Sequence, residues 1–197
     1  RLMQKFRAAC AIHRPMSDII FTAGSHAFSD GTHPTTRGVL EAFGLIDPQA
    51  FTPAMACDMG AGSGLLSFAM AERFGCPVIA VELDRAAVAV LKENIAANHL
   101  TDRIMAVHAD GFDHPSIAAH APYDLLVMNI LPEPLRRLAV MAEAHLAAGG
   151  VLILSGIMIA NESLIIQVYQ VLGLELTGRI VIGDWVTLVW QKEGDRG

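Results

Sequence analysis

The chain has 197 residues, a formal net charge of −6 and a hydrophobic fraction of 53%. This length predicts one domain with a substantial core, and the hydrophobic fraction is ordinary for an α/β protein whose central strands are buried on both faces. The acidic balance argues against a general nucleic-acid-binding surface. The longest apolar stretch, about residues 149–160, is too short to span a membrane, so we predict no membrane partner.

The amino-terminal part shows no export signal. Residues 1–7 are basic but are not followed by an apolar signal core. Leu2, Phe6 and Cys10, spaced by four, predict a short helix over 1–13. The three cysteines are odd in number and form no Cys-x-x-Cys pair, which indicates reduced thiols and a cytoplasmic location.

A loop of unusual composition comes next. Residues 28–36 read Phe-Ser-Asp-Gly-Thr-His-Pro-Thr-Thr and lead into a helix predicted over 35–43. Loops dense in Gly, Pro, Thr and His at a helix start present backbone donors and hydroxyls. The alternative is that these residues only cap the helix. Upstream, the apolar residues 19–21 predict a strand or an extended packing segment.

The most informative stretch is residues 57–64, Cys-Asp-Met-Gly-Ala-Gly-Ser-Gly, together with Glu82. A strand, a glycine turn, a helix and a second strand are predicted at 53–59, 60–64, 65–74 and 77–81. Gly60, Gly62 and Gly64 permit a sharp turn and the close approach of a ligand. Glu82 follows the second strand, where such folds hydrogen-bond the two hydroxyls of a ribose.

The glycine spacing discriminates between cofactors. A dinucleotide fingerprint would need a third glycine at the position of Leu65. The pattern Asp-x-Gly-x-Gly-x-Gly over 58–64 instead resembles motif I of class I methyltransferases, whose ligand S-adenosylmethionine carries a ribose and no phosphate. A tight turn without a ligand is the alternative. Asp58 has two interpretations, because its carboxylate can accept from the ammonium of the ligand or can hold the turn through backbone N–H groups.

The remainder of the chain alternates between helices and strands. Strands are predicted at 104–109, 123–128 and 151–154 and, as a hairpin around Gly183-Asp184, at 174–182 and 185–191. Helices are predicted after Asp84, after Pro134 up to Gly149-Gly150, and after the cap Asn161, the last with Leu164, Val168 and Val171 inward. We therefore predict a doubly wound, Rossmann-like, seven-stranded and mostly parallel sheet with an antiparallel terminal hairpin strand.

Polar residues follow the strands where such sheets bind ligands. They are Asp58, Glu82, Asp110, Asn129 and Ser155. We expect Asp110 near the amino group of an adenine. Asn129 can accept a hydrogen bond from a substrate N–H and orient the nitrogen lone pair, which suits an in-line displacement that needs alignment more than a strong base. The alternative for Asn129 is a turn cap, and no metal site is predicted.

Four motifs together resemble the PrmA family, bacterial methyltransferases of a large-subunit ribosomal protein. They are Gly-Thr-His-Pro-Thr-Thr at 31–36, motif I at 58–64, Asn-Ile-Leu at 129–131, and Leu-Ile-Leu-Ser-Gly-Ile at 152–157 followed by Gly-Asp-Trp-Val at 183–186. The resemblance implies a class I methyltransferase fold, S-adenosylmethionine as cofactor and transfer to α-amino or lysine groups of a protein. It also implies that Thr35 or Thr36 holds the amino-acid end of the cofactor and that Asn129 faces the methyl group.

Two features of the chain depart from the family pattern. The family loop begins Phe-Gly-Thr-Gly, whereas residues 28–31 here are Phe-Ser-Asp-Gly. The family also carries a separate amino-terminal domain that grips the ribosomal protein, and only residues 1–27 precede the loop here. We therefore predict an extension at 1–27 and a catalytic domain at 28–197, and we do not transfer the ribosomal substrate.

The first hypothesis is an S-adenosylmethionine-dependent methyltransferase acting on a protein amine. A small-molecule amine or a nucleic-acid base is an alternative acceptor, and the acidic charge lowers the nucleic-acid option. A non-catalytic module that binds S-adenosylmethionine is a further alternative. A nicotinamide-dependent oxidoreductase is disfavoured by Leu65 and by the terminal hairpin. The oligomeric state stays open.

Overall fold

The computed structural model describes residues 19–21, 31–47 and 49–194. The helix predicted over 1–13 lies outside these ranges. The helices are α1 (Pro34–Leu45), α2 (Leu65–Phe74), α3 (Arg85–Ala97), α4 (Pro115–His120), α5 (Pro132–His145) and α6 (Ile159–Val171). The strands are β1 (Ala56–Met59), β2 (Val78–Glu82), β3 (Ile104–His108), β4 (Tyr123–Asn129), β5 (Leu146–Met158), β6 (Glu175–Ile182) and β7 (Trp185–Gln191).

The seven strands form one sheet in the order β3-β2-β1-β4-β5-β7-β6. Strands β1 to β5 pair in parallel, and β7 lies antiparallel between β5 and β6. This confirms the predicted fold class. The strand order reverses between β1 and β4, and ligands of doubly wound sheets bind beyond the strand ends at such a switch point.

The sheet is buried on both faces because its central strands are nearly continuous apolar runs. All four residues of β1 are buried, as are five of the seven residues of β4. One core cluster on one face includes Leu126, Tyr169 and Trp190, and the other includes Phe43 and Phe68. This packing holds the carboxyl ends of β1, β2 and β4 in fixed register, and these ends carry the site.

Several predicted elements are confirmed. Helix α2 covers the predicted 65–74. Asp84 caps α3, where its side chain accepts a hydrogen bond from the backbone N–H of Ala86. The Gly183-Asp184 hairpin joins β6 and β7 as predicted. Residues 19–21 form no strand and pack as an extended segment, with Phe21 stacked on Phe68 at 6.2 Å between ring centroids.

Three predictions around β5 were wrong. Gly149-Gly150 does not stop α5, which ends at His145, because these glycines lie inside the long β5 and form backbone hydrogen bonds with Lys192, directly after β7. The strand also continues past Ser155 to Met158, through an irregularity between Leu154 and Ile157. As a result α6 begins at Ile159, so Asn161 lies within its first turn and is not its cap.

The inward face of α6 also differs from the prediction. Ile165 and Tyr169 are fully buried, whereas Leu164 is 41% and Val171 is 87% exposed. The hydroxyl of Tyr169 donates to the carbonyl oxygen of Leu135 in α5, which fixes the rotation of the helix. Helix α5 begins at Pro132, two residues before the prediction, and the short α4 was not predicted. No helix in the described part of the chain is long and apolar enough to cross a membrane.

Candidate active site

The glycine loop, defined as residues 60–64, turns sharply from β1 into α2. Its first turn is fixed by the carbonyl oxygen of Val81, which accepts from the N–H groups of Gly60 and Ala61 at 2.8 and 2.9 Å. Gly60 has φ +82°, and a Cβ there would stand 2.3 Å from Cγ2 of Ile130. Gly62 has φ +54°, and a Cβ there would meet no heavy atom within 4 Å. The loop therefore offers bare backbone, and Gly62 faces open space where a ligand can approach.

Asp58, at the end of β1, lies behind the loop. Its side chain is 1% exposed and accepts hydrogen bonds from the hydroxyl of Ser67, at 2.6 Å, and from the Ser67 backbone N–H. Burial, opposed by the hydrogen bonds from Ser67 and assisted by the nearby charge of Glu82, raises the pKa of Asp58 to about 6. Asp58 lines neither of the two clefts described below, so it ties β1 to the first turn of α2.

Glu82, at the end of β2, is bonded to the loop from the other side. One carboxylate oxygen accepts from the N–H of Gly62 at 2.9 Å. The other oxygen accepts from the N–H groups of Leu83 and Asp84, at 2.8 and 3.0 Å. The carboxylate is half-buried and also lines a cleft, so it combines a structural role with access to a ligand.

The amino terminus of α1 faces the loop. His33 caps this helix, and its Nδ1 accepts the backbone N–H of Thr35 at 3.3 Å and lies 2.8 Å from the Thr35 hydroxyl. The buried hydroxyl of Ser155, in β5, donates to the carbonyl oxygen of Thr35 at 3.0 Å. The same hydroxyl lies 2.8 Å from that of Thr187. Thr35 and Thr36 are only 3% and 2% exposed, so the helix start is held firmly at the cleft wall.

The first cleft, of about 410 Å³, lies between the glycine loop, α1 and the end of β4. It brings together the predicted Thr35, Thr36, Gly60, Gly62 and Asn129. The rest of its wall is His33, Ala61, Ser63, Leu65, Leu66, Ile130, Leu131, Gly156 and Trp185. All of these except Leu65 and Leu66 belong to the motifs quoted in the sequence analysis, although none of them was among the predicted site residues. His33 and Trp185 meet edge to face at 5.4 Å between ring centroids. None of these described lining residues is an Asp, Glu, Lys or Arg.

The second cleft, of about 320 Å³, continues the first, since both are lined by Gly60, Ile130 and Leu131. It brings together the predicted Glu82 and Asp110 with the apolar Leu83. Asp110 is paired with Arg137 of α5 through two hydrogen bonds, of 2.7 and 3.3 Å. The hydrogen bonds from Arg137 lower the pKa of Asp110. Arg137 could not be predicted from the sequence, because it reaches Asp110 from a different element, α5.

Gly64 lines neither cleft. It is the N-cap of α2 with φ +96°, and a Cβ there would stand 2.6 Å from Leu91 and 2.8 Å from Phe68. This glycine is therefore required for close helix packing. Within residues 19–21, 31–47 and 49–194, no three His, Cys, Asp or Glu side chains lie together so as to hold a metal ion.

The family model of the ribosomal protein L11 methyltransferase (PrmA) matches residues 17–193. The chain belongs to the PrmA family. A curated member, the ribosomal protein L11 methyltransferase of Rhodopseudomonas palustris (strain BisB5), is 40% identical over 166 residues, which are 84% of this chain and 56% of that protein. The chain thus spans a little over half the length of the curated PrmA relatives that it matches.

Solved structures agree on the PrmA-like fold. The ribosomal protein L11 methylase of Lactobacillus delbrueckii subsp. bulgaricus superposes with a TM-score of 0.74 at 23% identity, over 89% of this chain and 85% of that one. The Thermus thermophilus 16S rRNA N2 G1207 methyltransferase, solved with AdoMet and guanosine, gives 0.64 at 24% identity, over 88% and 45%. These similarities establish a class I methyltransferase fold.

Proposed function

We propose that this chain is an S-adenosylmethionine-dependent methyltransferase that methylates an amine nitrogen of a protein. The observation that carries the proposal is the first cleft, where the bare backbone of the glycine loop, the start of α1 and the amide of Asn129 face one another. PrmA membership supports the reaction class.

The two clefts would receive different parts of S-adenosylmethionine. Glu82 would bond the ribose hydroxyls, and Leu83, Ile130 and the carboxylate of Asp110 in the second cleft would contact the adenine. The start of α1, with Thr35 and Thr36, would hold the amino-acid end in the first cleft, since helix amino termini favour a carboxylate. When bound, this cofactor supplies the methyl group of a sulfonium. The remainder of the cofactor is released as a neutral thioether.

Asn129 would act on the acceptor amine. Its side-chain oxygen accepts one N–H, which directs the nitrogen lone pair into the first cleft. The amine would have to react uncharged, because an ammonium has no free lone pair. The nitrogen gains the methyl group and releases one proton to water. Trp185 gives the cleft an apolar aromatic wall that suits a methylated amine.

The relatives are named ribosomal protein L11 methyltransferases, so L11 is the first protein to test as acceptor. This chain would be incubated with methyl-labelled S-adenosylmethionine and purified L11, or a bacterial lysate. Label on a protein, lost in Asn129→Ala and kept in the control Asn161→Ala of α6, would support the proposal. Label only on RNA or on small molecules would refute a protein acceptor. Label on a protein other than L11 would exclude L11 as the acceptor and leave the proposal of a protein acceptor standing.

A further inference from the structure

Two buried asparagines, Asn94 of α3 and Asn98 at its C-cap, lie behind the glycine loop. Asn94 is fully buried, and its side-chain amide donates to the carbonyl oxygen of Ser63 at 2.9 Å. Ser63 lines the first cleft, yet α3 contributes no residue to that lining. A buried amide without partners is costly, so this bond fixes one position of the loop from the side away from the ligand.

Asn98, the C-cap of α3 four residues after Asn94, extends the contact to the amino-terminal segment 19–21. Its side chain is 3% exposed. It forms hydrogen bonds with both backbone groups of Ile20, as a neighbouring β-strand would. Its Oδ1 accepts the N–H of Ile20 at 3.0 Å, and its Nδ2 donates to the carbonyl oxygen of Ile20 at 2.7 Å and to that of Asn94 at 2.8 Å. One polar chain thus runs from Ile20 through both asparagines to Ser63.

A second, apolar connection joins the same two places. Phe21 stacks on Phe68, and the Phe68 ring occupies the space beside Gly64, where a Cβ would come within 2.8 Å. The segment 19–21 and the glycine loop are therefore linked twice, although 38 residues (22–59) separate them in the sequence.

We propose that Asn94 is a positioning residue for the glycine loop, and that Asn98 couples this loop to residues 19–21. Asn94 holds the loop in its ligand-receiving form, so that the ligand does not have to order it. Because coupling between two sites is reciprocal, a ligand in the first cleft also stabilises the contact at Ile20. The choice of S-adenosyl ligands as probes rests on the proposed function.

The first test compares two variants of the full chain that each lose one buried hydrogen bond. Asn94→Ala removes the donor to Ser63, and Tyr169→Phe removes the donor to Leu135 in the core cluster away from the loop. By calorimetry, we expect Asn94→Ala to raise the dissociation constant of S-adenosylhomocysteine about tenfold, and Tyr169→Phe to change it less than about twofold. Equal changes in the two variants would overturn the proposal.

Hydrogen exchange of the ligand-free protein separates this proposal from the proposed function. In Asn94→Ala the amides of residues 61–64 should exchange faster than in wild type, while those of β4 and β5 stay unchanged. Unchanged loop amides would overturn the positioning role even if no adenosyl ligand binds. If Asn94→Ala does not fold, Asn94→Leu, which fills the volume and lacks the donor, replaces it in both measurements.

The coupling to residues 19–21 has its own measurement. In wild type, S-adenosylhomocysteine should slow the exchange of the Ile20 amide, which is bonded to Asn98. In Asn98→Ala this slowing should disappear. Slowing of equal size in both proteins would show that Asn98 does not carry the coupling. A wild type that binds no S-adenosylhomocysteine would contradict the proposed function instead.

Discussion

Glu82 and Gly62 are joined by a 2.9 Å hydrogen bond from the backbone N–H of the glycine to the carboxylate. The same carboxylate accepts the N–H groups of Leu83 and Asp84, just before α3. One side chain at the end of β2 therefore holds both the glycine loop and the chain leading into the next helix. The acid expected to bind a ribose is thus ordered by three backbone donors before any ligand arrives.

This arrangement predicts that Glu82→Gln weakens cofactor binding. Glutamine has the same shape as glutamate, but its NH₂ group cannot accept a hydrogen bond from a backbone N–H. The bonds to Gly62, or those to Leu83 and Asp84, are therefore lost, and so is one acceptor for the ribose. We expect the dissociation constant of S-adenosylmethionine to rise at least about tenfold, equal to about 1.4 kcal/mol. Calorimetry measures it, with Glu175→Gln on the exposed edge strand β6 as control. Equal affinities of Glu82→Gln and Glu175→Gln would contradict the role of Glu82.

Gly60 and Gly62 should respond differently to a methyl group. Gly60→Ala adds strain at φ +82° and pushes against Ile130, whereas Gly62→Ala adds strain at φ +54° with no clash. Gly60→Ala should lower the melting temperature more, at about 2–4 °C per kcal/mol. Gly62→Ala should stay nearer to wild type in stability and still lose cofactor affinity, because its methyl group stands in the first cleft. A Gly62→Ala protein with wild-type affinity would refute this placement.

Asp58 predicts a pH dependence of stability. Its pKa is about 6 in the folded protein, above the value of 3.8 for an exposed aspartate. Between these two pKa values the unfolded chain loses the proton while the folded protein keeps it, so the free energy of unfolding falls as the pH rises. The stability contributed by this proton is lost completely above a pH of about 6. The shift corresponds to about 3 kcal/mol. Asp58→Asn lacks this titration, so its free energy of unfolding relative to wild type should improve from pH 4 to pH 6.

Ser67→Ala provides the matched control for Asp58. The Ser67 hydroxyl lowers the folded-state pKa of Asp58, so its removal should extend the fall in stability to higher pH while the onset stays near the unfolded-state value. Denaturant titrations at a series of pH values would record all three proteins. Parallel pH profiles of wild type and Asp58→Asn would show that this carboxyl does not titrate differently on folding.

Asn129→Ala should separate binding from catalysis. Asn129 lines the first cleft at the end of β4, where it can orient an amine without being the main contact of the cofactor. We expect kcat to fall by about 100-fold or more, as when a positioned transition-state contact is lost. The dissociation constant of S-adenosylmethionine should change far less. A loss of cofactor affinity as large as the loss of kcat would contradict this division.

The sequence predicted an element correctly where its residue pattern allowed only one structure. The glycine spacing marked the β1–α2 turn, and Gly183-Asp184 marked the final hairpin. Helix α6 shows where this failed, because 164–166 are three consecutive apolar residues and allow more than one inward face. The choice is made by the hydrogen bond between Tyr169 and Leu135, a contact between two helices that periodicity does not contain.

The candidate site likewise has residues that could be predicted from the sequence and residues that could not. The strand-end residues Glu82, Asp110 and Asn129 were predictable, since the ends of parallel strands meet at one edge of the sheet. Their partners were not, because Arg137 reaches Asp110 from α5 and Asn94 reaches Ser63 from α3. Asp58 was left with two interpretations, and only its burial against Ser67 separates them.

The most direct test is a parallel calorimetric titration of the full chain with S-adenosylmethionine, S-adenosylhomocysteine and NAD, repeated on Glu82→Ala. We expect both adenosyl ligands to bind with one site per chain, Glu82→Ala to weaken both, and NAD not to bind. Binding of NAD alone, or adenosyl affinities unchanged in Glu82→Ala, would contradict the assignment of the two clefts.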